Sequence, residues 1–342
     1  MYVVISIIIA ILAIASRETS FRVFGAIMLA LCIFSFYGFR VNVGVDWQSY
    51  KDAYMQNDLG RFEMLFRWYA ELLRYFNMPS YFFFGLIGFM QFKLLYSSIY
   101  IKNSPWGDVI FVFGYFLLPT FLASANGIRQ FAAAAIVIWA FSSLKRYNKY
   151  LLYLVSVLFH FSSPLLIVLL ELTRRFKINR KGMAVIFIAS MVYRISWTQI
   201  ETFINILEFI PIRRLELVII NLESLNTPGL NVGPRRLILW VLAAILIRFV
   251  PANKKEYAML CTIILLLSVD NLLLDLNSIF RRPLFWWYAL LPVTLVNAYK
   301  NNDIFSKRSF ILIILALCIS YWAVMVMAEW HNLDSTDLYL KI

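Results

Sequence analysis

The sequence predicts an all-α, polytopic integral membrane protein, and three observations carry that reading. Of its 342 residues, 62% are hydrophobic and only 15% are charged, against roughly a quarter charged in a soluble domain. Mean hydropathy is +0.74, and apolar runs approaching the ~20 residues of a crossing recur along the whole length. The net charge of +13 sits in short clusters between those runs, as in loops that orient a membrane protein. It forms no basic face, which argues against nucleic acid as a partner. The composition also excludes disordered, collagen-like, coiled-coil and disulfide-scaffold classes. Cys32, Cys261 and Cys318 each lie inside an apolar run and show no metal-ligand spacing, so no metal or other cofactor is expected.

Taken in order, candidate crossings fall at about 2–16, 21–39, 80–101, 108–124, 127–144, 182–197, 235–250, 256–273, 283–299 and 309–328. The first lacks a basic start, although Ala13-Ile14-Ala15 imitates a cleavage site. The stretch 150–173 has the length of one crossing, but Phe159-His160-Phe161-Ser162-Ser163-Pro164 interrupts it, and Pro164 removes a helix hydrogen bond. Charge decides between one crossing and a hairpin of two short helices. With a hairpin, the inner loops hold seventeen basic and five acidic residues, while the outer segments balance at fourteen of each. A single crossing puts Arg174 to Lys181 outside and spoils that asymmetry. The expected architecture is therefore about 11–12 transmembrane segments with a broken hairpin at 150–173 and both termini outside. The chain 1–342 reads as one polytopic domain without internal repeats. Its two long connections, about 40–79 and 198–234, both face outward and are expected to carry amphipathic helices.

Long loops in compact proteins are usually functional, so chemistry is sought on the outer face. Arg40 and Asp46 fall where a helix emerges, with Gly44 between them, and Tyr50 and Glu63 follow. Met64, Leu65, Trp68, Leu72 and Phe76 recur at helical spacing, which predicts a helix lying in the interface. Asn126, Arg129 and Gln130 begin the next crossing, where an arginine near the apolar zone costs a few kcal/mol without a partner. A structural ion pair is the plain alternative for it. His160 sits at the apex of the hairpin, and broken helices at membrane depth usually line cavities. A satisfied packing histidine is the plain alternative there. Arg235 and Arg236, after Pro234, combine a helix start with two cationic forks, an anion-binding pattern. Arg281 and Arg282 repeat the form before Pro283, and Arg213-Arg214 lies within the long loop. Headgroup anchoring is the plain alternative for each pair, but arginine outnumbers lysine outside, which suits bidentate phosphate binding.

No nucleotide triphosphate is present outside the membrane, and the sequence has no phosphate-cradling glycine loop. An enzyme there needs a substrate already activated, such as a lipid-linked pyrophosphate sugar. Its leaving group needs no protonating acid. What remains is a cationic clamp and a base for the attacking hydroxyl.

The run Arg40-Val-Asn-Val-Gly44-Val-Asp46-Trp-Gln-Ser-Tyr50 with Glu63, the segment Asn126-Gly-Ile-Arg129-Gln130, and Phe159-His160-Phe-Ser162 after a basic turn resemble EpsG/Wzy-type bacterial polysaccharide polymerases. Order and approximate spacing agree over residues 36–175, about 40% of the chain. Val45 stands where threonine or serine is common, and Trp47 follows the aspartate. The resemblance implies a metal-independent glycosyltransferase of the membrane-embedded C-type architecture in the bacterial inner membrane, its site facing the periplasm or outside. Such an enzyme passes a glycan from one undecaprenyl-pyrophosphate carrier to a repeat unit on another, and a chain-length regulator is an expected partner beside membrane lipids. Carried over by position, Arg40, Arg129 and Arg235 or Arg236 hold pyrophosphate, with Arg281 and Arg282 joining them. His160, Asp46 or Glu63 orients or deprotonates the acceptor hydroxyl, with a lean to His160 because imidazole titrates near neutrality. Tyr50, Asn126 and Gln130 are the expected sugar contacts. A ligase using the same donor is the close rival. A flippase is the more distant one, and repeated halves, its usual mark, are absent.

Overall fold

The structure, a computed structural model, describes residues 2–17, 21–40, 46–99, 104–143, 146–176, 178–195, 234–250, 254–272, 286–300 and 307–331. Among these residues it is all-helical, with fifteen helices and no strand. They are α1 (Tyr2–Ala15), α2 (Arg22–Gly38), α3 (Trp47–Gln56), α4 (Met64–Tyr75), α5 (Ser80–Ser98), α6 (Pro105–Phe116), α7 (Thr120–Asn126), α8 (Ile128–Ser143), α9 (Arg146–Phe159) and α10 (Ser163–Arg175). The remainder are α11 (Arg180–Ile195), α12 (Pro234–Phe249), α13 (Lys254–Leu272), α14 (Trp286–Lys300) and α15 (Lys307–His331). Ten apolar runs expected from the sequence each contain helix. Among the described residues, Lys307–Val324 is the one stretch long and apolar enough to cross a membrane as a single helix.

One expected crossing is not a single straight helix. The run 108–124 is two helices, α6 and α7, bent by 52° at Leu117-Leu118-Pro119. Proline at 119 has no N–H to continue α6, and its carbonyl instead accepts from Ala123 N at 2.9 Å to start α7. At the other end of α6 the Ser104 side chain accepts from Gly107 N, with Pro105 in the first turn. The second long loop, 198–234, lies outside the described residues except for Pro234, and so do Arg213, Arg214, Arg281 and Arg282.

The interruption at 159–164 does fold back. Lys149 Nζ donates to Glu171 Oε1 at 2.7 Å, whereas 22 residues of straight helix would separate them by roughly 33 Å. Helices α9 and α10 are thus an antiparallel hairpin, with His160 at its tip.

Hydrogen bonds between helix ends sort the scaffold into two ends. Lys255 donates to Ser142 O, Tyr257 to Ile178 O, and Arg180 to Val250 O. Thr173 reaches Ala258 O. The C-terminal ends of α8, α10 and α12 therefore gather with the starts of α11 and α13. The opposite ends of the same helices carry Arg129, His160, Arg236 and Asp270. That places the charged residues of widely separated segments at one end of the bundle.

Close backbone approach builds this end. A Cβ on Gly88 of α5 would overlap the ring of Tyr37, so glycine alone lets α2 lie flat against α5. Tyr37 then reaches Tyr115 and Ser124 with its hydroxyl, both at 2.5 Å, in a fully buried polar knot. Helix α5 packs on α2 and α8, and α4 lies across α5 and α9. The helical period expected over 64–76 is present, but it buries Phe66, Ala70 and Leu73. Met64, Trp68, Leu72 and Phe76, the stripe that revealed the helix, stay exposed.

Candidate functional site

Three polar segments far apart in sequence meet on one carboxylate. Glu63 occupies the N-cap position of α4 in extended conformation (φ −63°, ψ 154°) and its carboxylate makes no capping bond to that helix. One oxygen, Oε2, accepts from Arg129 Nη1 in the first turn of α8. The other, Oε1, lies 2.6 Å from His160 Nδ1. Arg129 and His160 are separated from Glu63 by 66 and 97 residues. All three side chains are largely buried, retaining 14%, 20% and 12% of their surface for Glu63, Arg129 and His160.

Arg129 is further fixed by aromatic rings. Its Nε donates to the Tyr50 hydroxyl at 3.2 Å, and its guanidinium lies 4.7 Å from the Phe62 ring centroid. Cation–π contact of this kind adds ~0.5–2 kcal/mol as the cation is desolvated. The remaining terminus, Nη2, has no partner among the described residues. Below the charges, Phe62, Phe66 and Phe83 pack edge to face, and Phe83 meets Phe84. Arg40 stands at the far end of this floor, buried, with its guanidinium 5.0 Å from Phe84 and 5.7 Å from Tyr37. Trp47 stacks on the same Phe84 ring at 6.0 Å. One aromatic floor therefore runs from Arg40 to Arg129.

The remaining sequence candidates group as follows. Asp46 begins α3 and its backbone N–H donates to Asn126 Oδ1 at 3.3 Å, joining the first polar segment to the end of α7. Gln130 is buried beside Arg129 at the start of α8. Arg236 is not part of the Glu63 pair: its Nη2 donates to Asp270 Oδ2 at 2.6 Å. The Arg235 side chain lies outside the described residues, as do Arg281 and Arg282. Asp270 is absent from the sequence candidates, although an aspartate ending an apolar run was the available signal. Phe62, the ring under Arg129, had no sequence signal beyond adjacency to Glu63. Among the described residues no group of three or more His, Cys, Asp and Glu side chains could hold a metal ion.

Electrostatics assign different roles within the centre. Burial alone would raise the Glu63 carboxyl, but His160 and Arg129 outweigh it and hold the group down at about 2. Glu63 therefore stays ionised throughout the neutral range and is a weak base. An ionised carboxylate can only accept, so its contact with His160 holds a proton on Nδ1. Burial pushes the Tyr50 phenol up, so it remains protonated beside Arg129. A carboxyl depressed in the folded state stabilises the fold above its unfolded value near 4.5, and this contribution fades as pH falls toward about 2. The gap in melting temperature between the native chain and Glu63→Gln should be constant from pH 7 to about 5 and shrink below 4.5. Thermal unfolding across pH 3–7 measures it.

A sequence model of the EpsG family matches residues 23–340. No curated protein and no solved structure matches the chain.

Proposed function

This chain belongs to the EpsG family, membrane proteins of polysaccharide polymerisation, and on that premise we propose that it is a glycosyltransferase using a polyprenyl-diphosphate-linked glycan. The donor is a glycan on undecaprenyl pyrophosphate. The acceptor is a lipid-linked repeat unit, and transfer takes place at the outer face of the bacterial inner membrane. One observation carries the reading: Glu63 bridges Arg129 and His160, so an anion-binding fork and an oriented imidazole share one small, half-dry centre.

In this mechanism His160 Nε2 takes the proton of the acceptor hydroxyl as its oxygen forms the new bond to the donor's anomeric carbon. The bond from that carbon to the diphosphate oxygen breaks, and the electron pair leaves with the diphosphate. Arg129 meets the developing charge with its Nη2 edge, while Glu63 and Tyr50 keep the guanidinium from turning away. A preorganised donor of this kind is worth on the order of 10²–10³ in rate. Arg40 lies across the aromatic floor as a second cation for the same head group. Asp46, Tyr50, Asn126 and Gln130 surround the acceptor sugar. No proton has to be supplied to the leaving group, which is consistent with a site holding one base and several cations.

The purified chain in nanodiscs, given lipid-linked repeat units, tests the proposal directly. Lengthened glycan on the carrier supports it. Transfer to a different supplied acceptor makes the chain a ligase, and the absence of any transfer by active, folded protein rejects the enzyme reading.

A further inference from the structure

The surface beside the Glu63 centre is apolar on two separate segments. Met64 follows Glu63 and keeps 39% of its surface, and Phe161 follows His160 and keeps 73%. The Phe161 ring stands edge-on to the imidazole, with centroids 4.9 Å apart. From Met64 the exposed apolar surface continues along α4 through Trp68, Leu72 and Phe76, which retain 52%, 57% and 59%. A repeat of four residues sets these side chains in one row on the helix. The row is the outer side of α4, since Phe66, Ala70 and Leu73 are buried on the other. Charges along the row neutralise one another, with Arg67 lying 3.6 Å from Glu71. From Met64 to Phe76 the row covers roughly 18 Å of helix. A centre that met only sugar and water would be flanked by polar residues. Leaving a methionine and a phenylalanine open there costs free energy unless an apolar group covers them.

We infer that this row carries the isoprenoid tail of the diphosphate carrier, from the head group at Arg129 outward along α4. The inference rests on the polymerase reading, which puts the diphosphate on the Arg129 fork bonded to Glu63. The tail starts at the diphosphate, so its first isoprene units lie within a side chain's length of Glu63. Among the described residues, Met64 and Phe161 are the exposed apolar neighbours of Glu63 and His160, and α4 extends that surface. Bulk lipid could cover an interfacial helix anywhere around the protein, with no need for its apolar row to begin at the reacting carboxylate. The row also makes tail length matter. A long carrier covers Leu72 and Phe76, whereas a tail of two isoprene units stops short of them.

The test compares binding of undecaprenyl diphosphate and of geranyl diphosphate, which has two isoprene units, to the full-length chain in nanodiscs. The informative variant is L72Q/F76Q, because both side chains are more than half exposed and the fold does not depend on burying them. It should bind undecaprenyl diphosphate roughly 10-fold or more weakly than the native chain, and geranyl diphosphate about as tightly. L72M/F76L, which keeps the apolar surface, should bind both as the native chain does. Unchanged affinity of L72Q/F76Q for undecaprenyl diphosphate overturns the inference and leaves bulk lipid on the row. Equal weakening of both diphosphates also overturns it, since the effect then lies in the head-group centre. If the native chain shows this tail dependence but transfers no glycan, the polymerase reading fails while the tail site stands.

Discussion

Glu63→Gln should reduce glycan transfer on the order of 10³-fold while the protein still folds into the membrane. The substitution keeps the size of the side chain and removes its charge. Two consequences follow at once. The amide no longer fixes the Nδ1–H tautomer of His160, and loss of an orienting carboxylate behind an imidazole costs up to about 10⁴ in rate. Arg129 also loses its counter-charge in a site where it keeps 20% of its surface. Breaking a fully buried pair costs ~3–5 kcal/mol, so partial exposure places the stability loss near 2 kcal/mol. Rate and melting temperature measured on the same preparation separate the two effects. The accompanying cycle is more specific: Glu63→Gln should cost much less in a His160→Ala background than in the native chain, because part of its effect runs through the imidazole and only the part through Arg129 remains. Additive losses would show that Glu63 does not work through His160.

The second large effect is expected at Arg129. Arg129→Ala should abolish polymer in cells while leaving the protein in the membrane, a loss of 10²–10³ or more in transfer by the purified chain. The variant leaves Glu63 ionised beside His160, so a modest loss of stability accompanies it. Arg129→Lys discriminates charge from geometry. A lysine keeps the positive charge but has no fork to bond Tyr50, Glu63 and a phosphate oxygen together. It should recover stability and no more than about a tenth of the rate. Polymer of native length in Arg129→Ala would remove the clamp from the mechanism.

Much of this arrangement was legible in the sequence because membrane chemistry makes charge conspicuous. Arg129 and His160 stand out as polar groups at the edges of apolar runs, and Glu63 stands at the start of a helical period. The fold-back at 159–164 was legible from charge on either side, and the Lys149–Glu171 bond now marks it. What sequence could not supply was the pairing. Nothing local says that a carboxylate 66 residues before an arginine and 97 before a histidine will touch both. The bend at Pro119 was overlooked because hydropathy runs unbroken from α6 into α7, and apolar character hides a change of direction. On α4 the periodicity revealed a helix but not its buried side. Apolar residues lie on both faces, and packing against α5 and α9 selected Phe66, Ala70 and Leu73. Asp270 passed as the tail of a crossing, since its partner Arg236 lies 34 residues away on another helix.

The most direct measurement is single-turnover transfer between two lipid-linked repeat units by purified His160→Ala in nanodiscs, beside the native chain at equal folded concentration. The imidazole is the one group assigned to accept the hydroxyl proton, so extension by the variant should fall to background while diphosphate still binds. Extension at the native rate by His160→Ala would contradict the mechanism, whatever the other variants do.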